Sequence, residues 1–188
     1  MISEKASQIG ISPTLKISAK AEAMKAEGID VVDLSVGEPD FSTPDNVKAA
    51  GIQAIEQNFT KYTANDGIPA LKEAIINCLK QDFGLTYALD EIIVSSGAKS
   101  SLYHLVQALI DEGQEVIIPA PYWVTYPHSV SLAKGKVVII PTKEEDGFLL
   151  TPDQLKSAIS PATKALILNN PSNPTGAAYE KRDLEALA

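Results

Sequence analysis

The chain has 188 residues, 24 acidic against 16 basic, giving a formal net charge of −8 with 45% hydrophobic and 21% charged residues. That balance suits a globular protein with a real core, and the acidic excess excludes the broad Lys/Arg footprint that nucleic acid requires. No apolar stretch approaches the roughly 18–20 residues of a membrane span, MISEKASQIG lacks the apolar heart of a signal peptide, and a lone cysteine, Cys78, has no internal disulfide partner, so a cytoplasmic setting is expected.

Residues 13–27 are rich in Ala and Lys and predict a helix stopped by Gly28. A short apolar run, VVDLSV (31–36), predicts a strand ending at Gly37. Thr43-Pro44 is the pattern of a helix N-cap with proline at the first helical position, and Val47, Ala50, Ala54 and Ile55 then share one face. A third helix is predicted from Pro69 to Phe83, with Leu71, Ile75, Cys78 and Leu79 on its apolar side and Gly84 as its stop. Cys78 there reads as a small core residue.

From there the rhythm is regular. EIIVS (91–95), EVIIP (115–119), VVIIP (137–141) and KALILN (164–169) predict strands. Helices are expected between them at Ser101–Asp111, Val124–Ala133 and 152–159. His104, among apolar residues of the first of these, reads as a packing residue. Apolar runs that are continuous rather than alternating suit strands covered on both faces of a parallel sheet. The expected fold class is therefore α/β, three layers with a mostly parallel sheet. EKRDLEALA (180–188) opens an amphipathic helix without a stop residue, so a truncated member of a longer chain is expected.

In parallel sheets ligands bind beyond the carboxyl ends of the strands, which directs attention to three loops. SSGAKS (95–100) offers helix-start amides, with Gly97 allowing an anion close to the backbone; an ordinary capped helix is the alternative. It is not a Walker loop, because Ile92 occupies the first required glycine position. PAPYW (119–123) carries the only tryptophan, Trp123, which could stack on a flat ring or simply pack. NNPSNPTG (169–176) couples prolines, which lack amide donors, with asparagines, among which Asn173 could donate to a ligand oxygen; a structural turn fits equally. Gly37, in GEPDF (37–41), has an amide that could meet a carboxylate or simply sits in a domain-connecting turn, and Tyr62, in KYTANDGIP (61–69), has a hydroxyl that could reach an anion in its own site or a neighbour's or is a plain surface tyrosine. His104 and His128 are too isolated to suggest metal.

Taken together, GEPDF, KYTANDGIPALKEAI, VSSGAKSSL, EVIIPAPYWVTYP and NNPSNPTG resemble the class I/II pyridoxal-phosphate-dependent aminotransferases of fold type I, and most nearly the bacterial and plastid branch of aspartate aminotransferases. The motifs keep the family's order over nearly the whole chain. The resemblance implies that Gly97, Ala98 and Lys99 hold the phosphate of pyridoxal 5'-phosphate, that Trp123 stacks on its ring and that Asn173 bonds its phenolic oxygen. It implies that Tyr62 crosses a homodimer interface to the partner's cofactor, and that Gly37 orients the substrate α-carboxylate. Lys99 would meet the distal carboxylate of aspartate or glutamate, with Thr14 near the same entrance; a phosphate counter-charge or a solvated lysine are other readings of Lys99. Ala120-Pro121 and Asn173-Pro174 are candidates for cis bonds.

The same resemblance divides the chain into residues 1–40, the start of a small domain and its connector, and residues 41–188, the first part of the cofactor-binding large domain. It also exposes a gap. The Schiff-base lysine, the Asp for the pyridine nitrogen and the Arg for the α-carboxylate are not matched by residue 188, and the sole arginine is Arg182. Transamination between an amino acid and a 2-oxo acid is thus expected of a longer enzyme, with these residues alone inactive. An aromatic or prephenate aminotransferase, a carbon–sulfur lyase, a nucleotide-binding α/β module and a non-catalytic paralogue are the alternatives.

Overall fold

A computed structural model of the chain describes residues 13–35 and 37–188; the side chain of Thr14 lies outside the described set. The residues pack as two units, one ending at Ser95 and one running from Ser96 to Ala188.

Among the described residues the first unit holds three α-helices: α1 (Pro13–Ala26), α2 (Asp45–Glu56) and α3 (Pro69–Phe83). α3 begins on Pro69, whose missing N–H would have been unpaired anyway, and ends where Gly84 turns left-handed at φ 69°. Its final carbonyls are taken by the amides of Gly84 and Leu85, at 3.1 and 3.3 Å. α2 is capped by Pro44 rather than by Thr43, with no side-chain cap, and none of its residues is buried. Its expected apolar face is uncovered among the described residues, with Val47, Ala50 and Ile55 exposed.

Two expected strands of this unit do not form. At residues 31–35 the Asp33 carboxylate accepts both the amide (3.0 Å) and the hydroxyl (2.6 Å) of Ser35, local bonding that competes with a ladder. At residues 91–95 the backbone ends a short 3-10 turn (Leu89–Glu91), and the Val94 amide donates to the Asp66 carbonyl at 2.9 Å instead of to a strand. Cys78 is another correction. It is exposed, and its thiol donates to Asp82 at 3.0 Å rather than packing in a core, because α3 turns that edge toward solvent.

The second unit is a small α/β layer structure. Its elements are α4 (Ala98–Leu109), β1 (Glu115–Ala120), α5 (Thr125–Leu132), β2 (Lys136–Pro141), α6 (Pro152–Ala158), β3 (Thr163–Leu166) and α7 (Lys181–Leu187). The strands pair in parallel in the order β2-β1-β3, with Ile117 opposite Val138 on one side and Leu166 on the other. Side chains alternate along β1, so Val116 and Ile118 join Val106, Ile110, Tyr126 and Val130 from α4 and α5. Ile117 faces the other way, into a cluster with Ile140, Leu150, Leu155 and Tyr179. Helices thus cover both faces, and the fold class is α/β in three layers. His104 departs from expectation: it is exposed on α4 beside Tyr103, at 5.7 Å between ring centroids, while Val106 and Ile110 carry the core stripe.

Candidate active site

β1 and β3 are parallel neighbours, so the loops after Ala120 and after Leu166 leave the sheet at the same edge. The first continues through a cis Ala120-Pro121 bond to Tyr122 and Trp123. The second is NNPSNPTG, with Asn170-Pro171 and Asn173-Pro174 both cis; of these three bonds, only the one at Asn170 was not expected.

α4 starts three residues earlier than its hydrophobic stripe suggests, immediately behind Gly97. Gly97 has φ 81° and ψ 165°, a region open in practice to glycine alone, and a Cβ there would meet nothing within 4 Å. Its carbonyl takes the amides of Ser100 and Ser101, at 3.1 and 3.2 Å. The amides of Ala98 and Lys99 have no acceptor among the described residues. No acidic side chain occupies the first turn, so nothing opposes the positive end of the helix dipole there.

Lys99 Nζ lies 5.3 Å from the centroid of the Trp123 ring, a cation–π arrangement worth about 0.5–1 kcal/mol at an exposed site. Trp123 meets Tyr126 edge-on at 5.6 Å and 90°. Burial raises the Tyr126 hydroxyl above its ordinary pKa. Tyr126 in turn lines a small pocket of about 20 Å³ with Tyr122, Thr142, Asn169 and Asn173. A wider cleft of about 490 Å³ opens beside α4, between Ser96, Lys99 and Ser100 and the α5 residues Thr125 and His128.

The asparagine loop divides its labour. Asn169 Oδ1 accepts the Asn173 amide at 2.8 Å, and Asn170 Oδ1 accepts the Tyr179 amide at 2.9 Å. Both side chains are spent on the loop's own shape. The Asn173 side chain is exposed and makes no hydrogen bond among the described residues, leaving its amide available.

The structure therefore gathers Gly97, Ala98, Lys99 and Trp123, with Asn173 one tyrosine ring away. Gly37 and Tyr62 belong to the other unit, where Gly37 borders open space and Tyr62 is fully exposed. Sequence reasoning overlooked Tyr126, Tyr122 and His128 as site-lining residues. The signal for Tyr126 was its three-residue spacing from Trp123, across the turn in which the Tyr126 amide donates to the Trp123 carbonyl at 3.0 Å. Among the described residues no cluster of His, Cys, Asp or Glu could hold a metal, and no helix is long and apolar enough to cross a membrane.

Residues 29–188 match the family model described as aminotransferase class I and II. The chain belongs to that family. As an aminotransferase of classes I and II it is 53% identical over 177 residues to an aspartate aminotransferase of Bacillus sp. (strain YM-2), a match covering 94% of this chain and 45% of the relative. It is 50% identical to an aspartate/prephenate aminotransferase of Nitrosomonas europaea, covering 99% of this chain and 47% of the relative. Its fold superposes with TM-score 0.95 on an aspartate aminotransferase from Thermus thermophilus solved with maleate, at 44% identity, covering all of this chain and 49% of that one. This aminotransferase chain spans about half the length of the relatives it matches.

Proposed function

We propose that these residues belong to a homodimeric, pyridoxal-phosphate-dependent transaminase moving an amino group between a dicarboxylic amino acid, aspartate or glutamate, and a 2-oxo acid. One observation carries the reading: two free amides open α4 where the Lys99 ammonium lies over the Trp123 ring. An anion site beside a planar aromatic fits a phosphorylated ring. When bound, pyridoxal phosphate supplies the electron sink for the carbanion left at an amino acid's Cα.

This chain's residues do the holding. The amides behind Gly97 bind the phosphate, and Trp123 covers one face of the ring and limits its tilt. The unspent amide of Asn173 donates to the ring's phenolic oxygen. Gly37 orients the α-carboxylate of the substrate, Thr14 lies near the entrance, and Tyr62 reaches the phosphate of the partner's cofactor. Lys99 acts twice, its backbone toward the phosphate and its ammonium toward the substrate's distal carboxylate. The relative solved with maleate, a dicarboxylate, supports this specificity.

Hydrogen bonds to charged groups contribute about 1.5–3 kcal/mol. Lys99→Ala in the full-length protein should therefore raise KM for aspartate by about tenfold or more, with little change for an apolar amino acid. Equal effects on both would remove the specificity reading. Residues 1–188 alone bind the cofactor through its phosphate without turnover, since the lysine that links the cofactor covalently is matched nowhere in them. Borohydride treatment with pyridoxal phosphate should leave no stoichiometric adduct on a single lysine; one such adduct overturns this part. The relative named aspartate/prephenate aminotransferase favours prephenate as a second acceptor, checked by assaying it directly against 2-oxoglutarate.

A further inference from the structure

Lys72 is buried, with 6% of its surface exposed, and it is the only buried lysine among the described residues. Burying an ammonium costs several kcal/mol unless it is paired. Its position in the N-terminal third of α3 adds no compensation, because the positive end of the helix dipole lies there. Nor does α3 need it as a start signal, having Pro69 for that purpose.

What Lys72 does hold is the loop in front of α3. Its ammonium bonds the Asp66 carboxylate, which it keeps below the ordinary carboxylate pKa. The carbonyl of the same Asp66 accepts the Val94 amide at 2.9 Å. The next residue, Gly67, has φ 106°, and a Cβ there would sit 2.6 Å from Val94 Cγ2 and 3.7 Å from Lys72 Cγ. Its Cβ position is therefore closed off by Val94, with the lysine stem at contact distance. The Gly67 amide closes the turn on the Ala64 carbonyl at 3.2 Å. Four residues before Asp66 stands Tyr62, fully exposed and without a hydrogen bond among the described residues. Nothing Tyr62 itself touches sets its place, so the anchors of its loop must.

We infer that Lys72 is a positioning residue for Tyr62: with Asp66 and Gly67 it clamps the 61–68 loop to the backbone at Val94 and so presents the tyrosine hydroxyl to the phosphate of the partner subunit's cofactor. This rests on the proposed role of Tyr62. A surface ion pair of no consequence would leave its lysine in water; this one is withdrawn from it and joined to two further contacts on the same two loop residues.

The test is a double-mutant cycle in the full-length protein, read as the affinity of the apo-protein for pyridoxal phosphate by fluorescence titration. Lys72→Met and Asp66→Asn should each loosen cofactor binding by about five- to tenfold, and Lys72→Arg should restore most of it. In a Tyr62→Phe background the same changes should add less than about twofold, because the group they position is already gone. Undiminished effects in that background overturn the proposal while leaving the role of Tyr62 intact. If Tyr62→Phe alone leaves cofactor affinity unchanged, the reading of Tyr62 fails first and the proposal with it. Hydrogen exchange at the Val94 amide supplies a readout free of cofactor: it should quicken in Lys72→Met, and an unchanged rate overturns the clamp itself.

Discussion

Replacing Gly97 with alanine separates backbone conformation from steric space, because the structure gives the two opposite answers. A Cβ at Gly97 meets nothing within 4 Å, yet the residue sits at φ 81° and ψ 165°. Holding an alanine there costs about 1–3 kcal/mol. The reduced freedom of the unfolded chain returns about 0.4–1 kcal/mol. The balance is a net loss of roughly 0.5–2 kcal/mol, a factor of about two to thirty in an equilibrium constant. The loss has two places to appear. If the loop keeps its shape, stability falls; if the loop relaxes, the amides of Ala98 and Lys99 turn away and phosphate affinity falls instead. Denaturant titration and pyridoxal phosphate binding, measured on the same variant, capture both. Gly51 provides the control. It lies inside α2 with the same open surroundings and no positive φ, so Gly51→Ala should stabilise by about 0.5–1 kcal/mol. Two glycines with equal space should respond with opposite signs. If Gly97→Ala matches Gly51→Ala in stability and binds cofactor normally, the conformational reasoning is refuted.

Tyr179→Phe removes the buried hydroxyl that accepts the Leu150 amide at 2.8 Å; the orphaned N–H should cost about 1–3 kcal/mol in urea unfolding, and a loss below about 0.3 kcal/mol would mean water replaces the bond. Glu115, at 8% exposure, receives Lys136 at 2.7 Å and Ser160 at 2.6 Å, and these bonds, Lys136 first, hold its pKa below the usual 4.5. Because the folded pKa is the lower one, its contribution is present in full above the unfolded value and fades as pH falls through the folded one. Glu115→Gln should therefore flatten part of the acid limb of the stability–pH curve while leaving its slope above pH 6 unchanged; an identical acid limb in both proteins would count against the pairing.

The second unit was more legible than the first, and the difference has a physical cause. EVIIP and VVIIP became strands, close to their expected limits, because each finds a parallel neighbour in the described chain. EIIVS has comparable side chains but meets a loop carbonyl at Asp66. Strand propensity expresses a fit to neighbours, so it fails where the neighbour differs. Cys78 and His104 failed for a related reason. Periodicity shows which residues share a helix face, but not what packs against that face. The turn at Gly97 was legible for another reason: a glycine acts through its own backbone freedom, whatever surrounds it.

What the amino-acid order determined unaided was local: the Pro69 start and Gly84 stop of α3 and the helix start behind Gly97. Each follows from restrictions that a residue imposes on its own dihedrals or its nearest turn. Tertiary structure alone decided which groups meet. It put the Lys99 ammonium over Trp123, tied Asn170 to the Tyr179 amide, and drew Lys72 out of water onto Asp66. Such pairings join residues from separate elements or turns, and their energies depend on distance and burial, which exist only once the chain has folded.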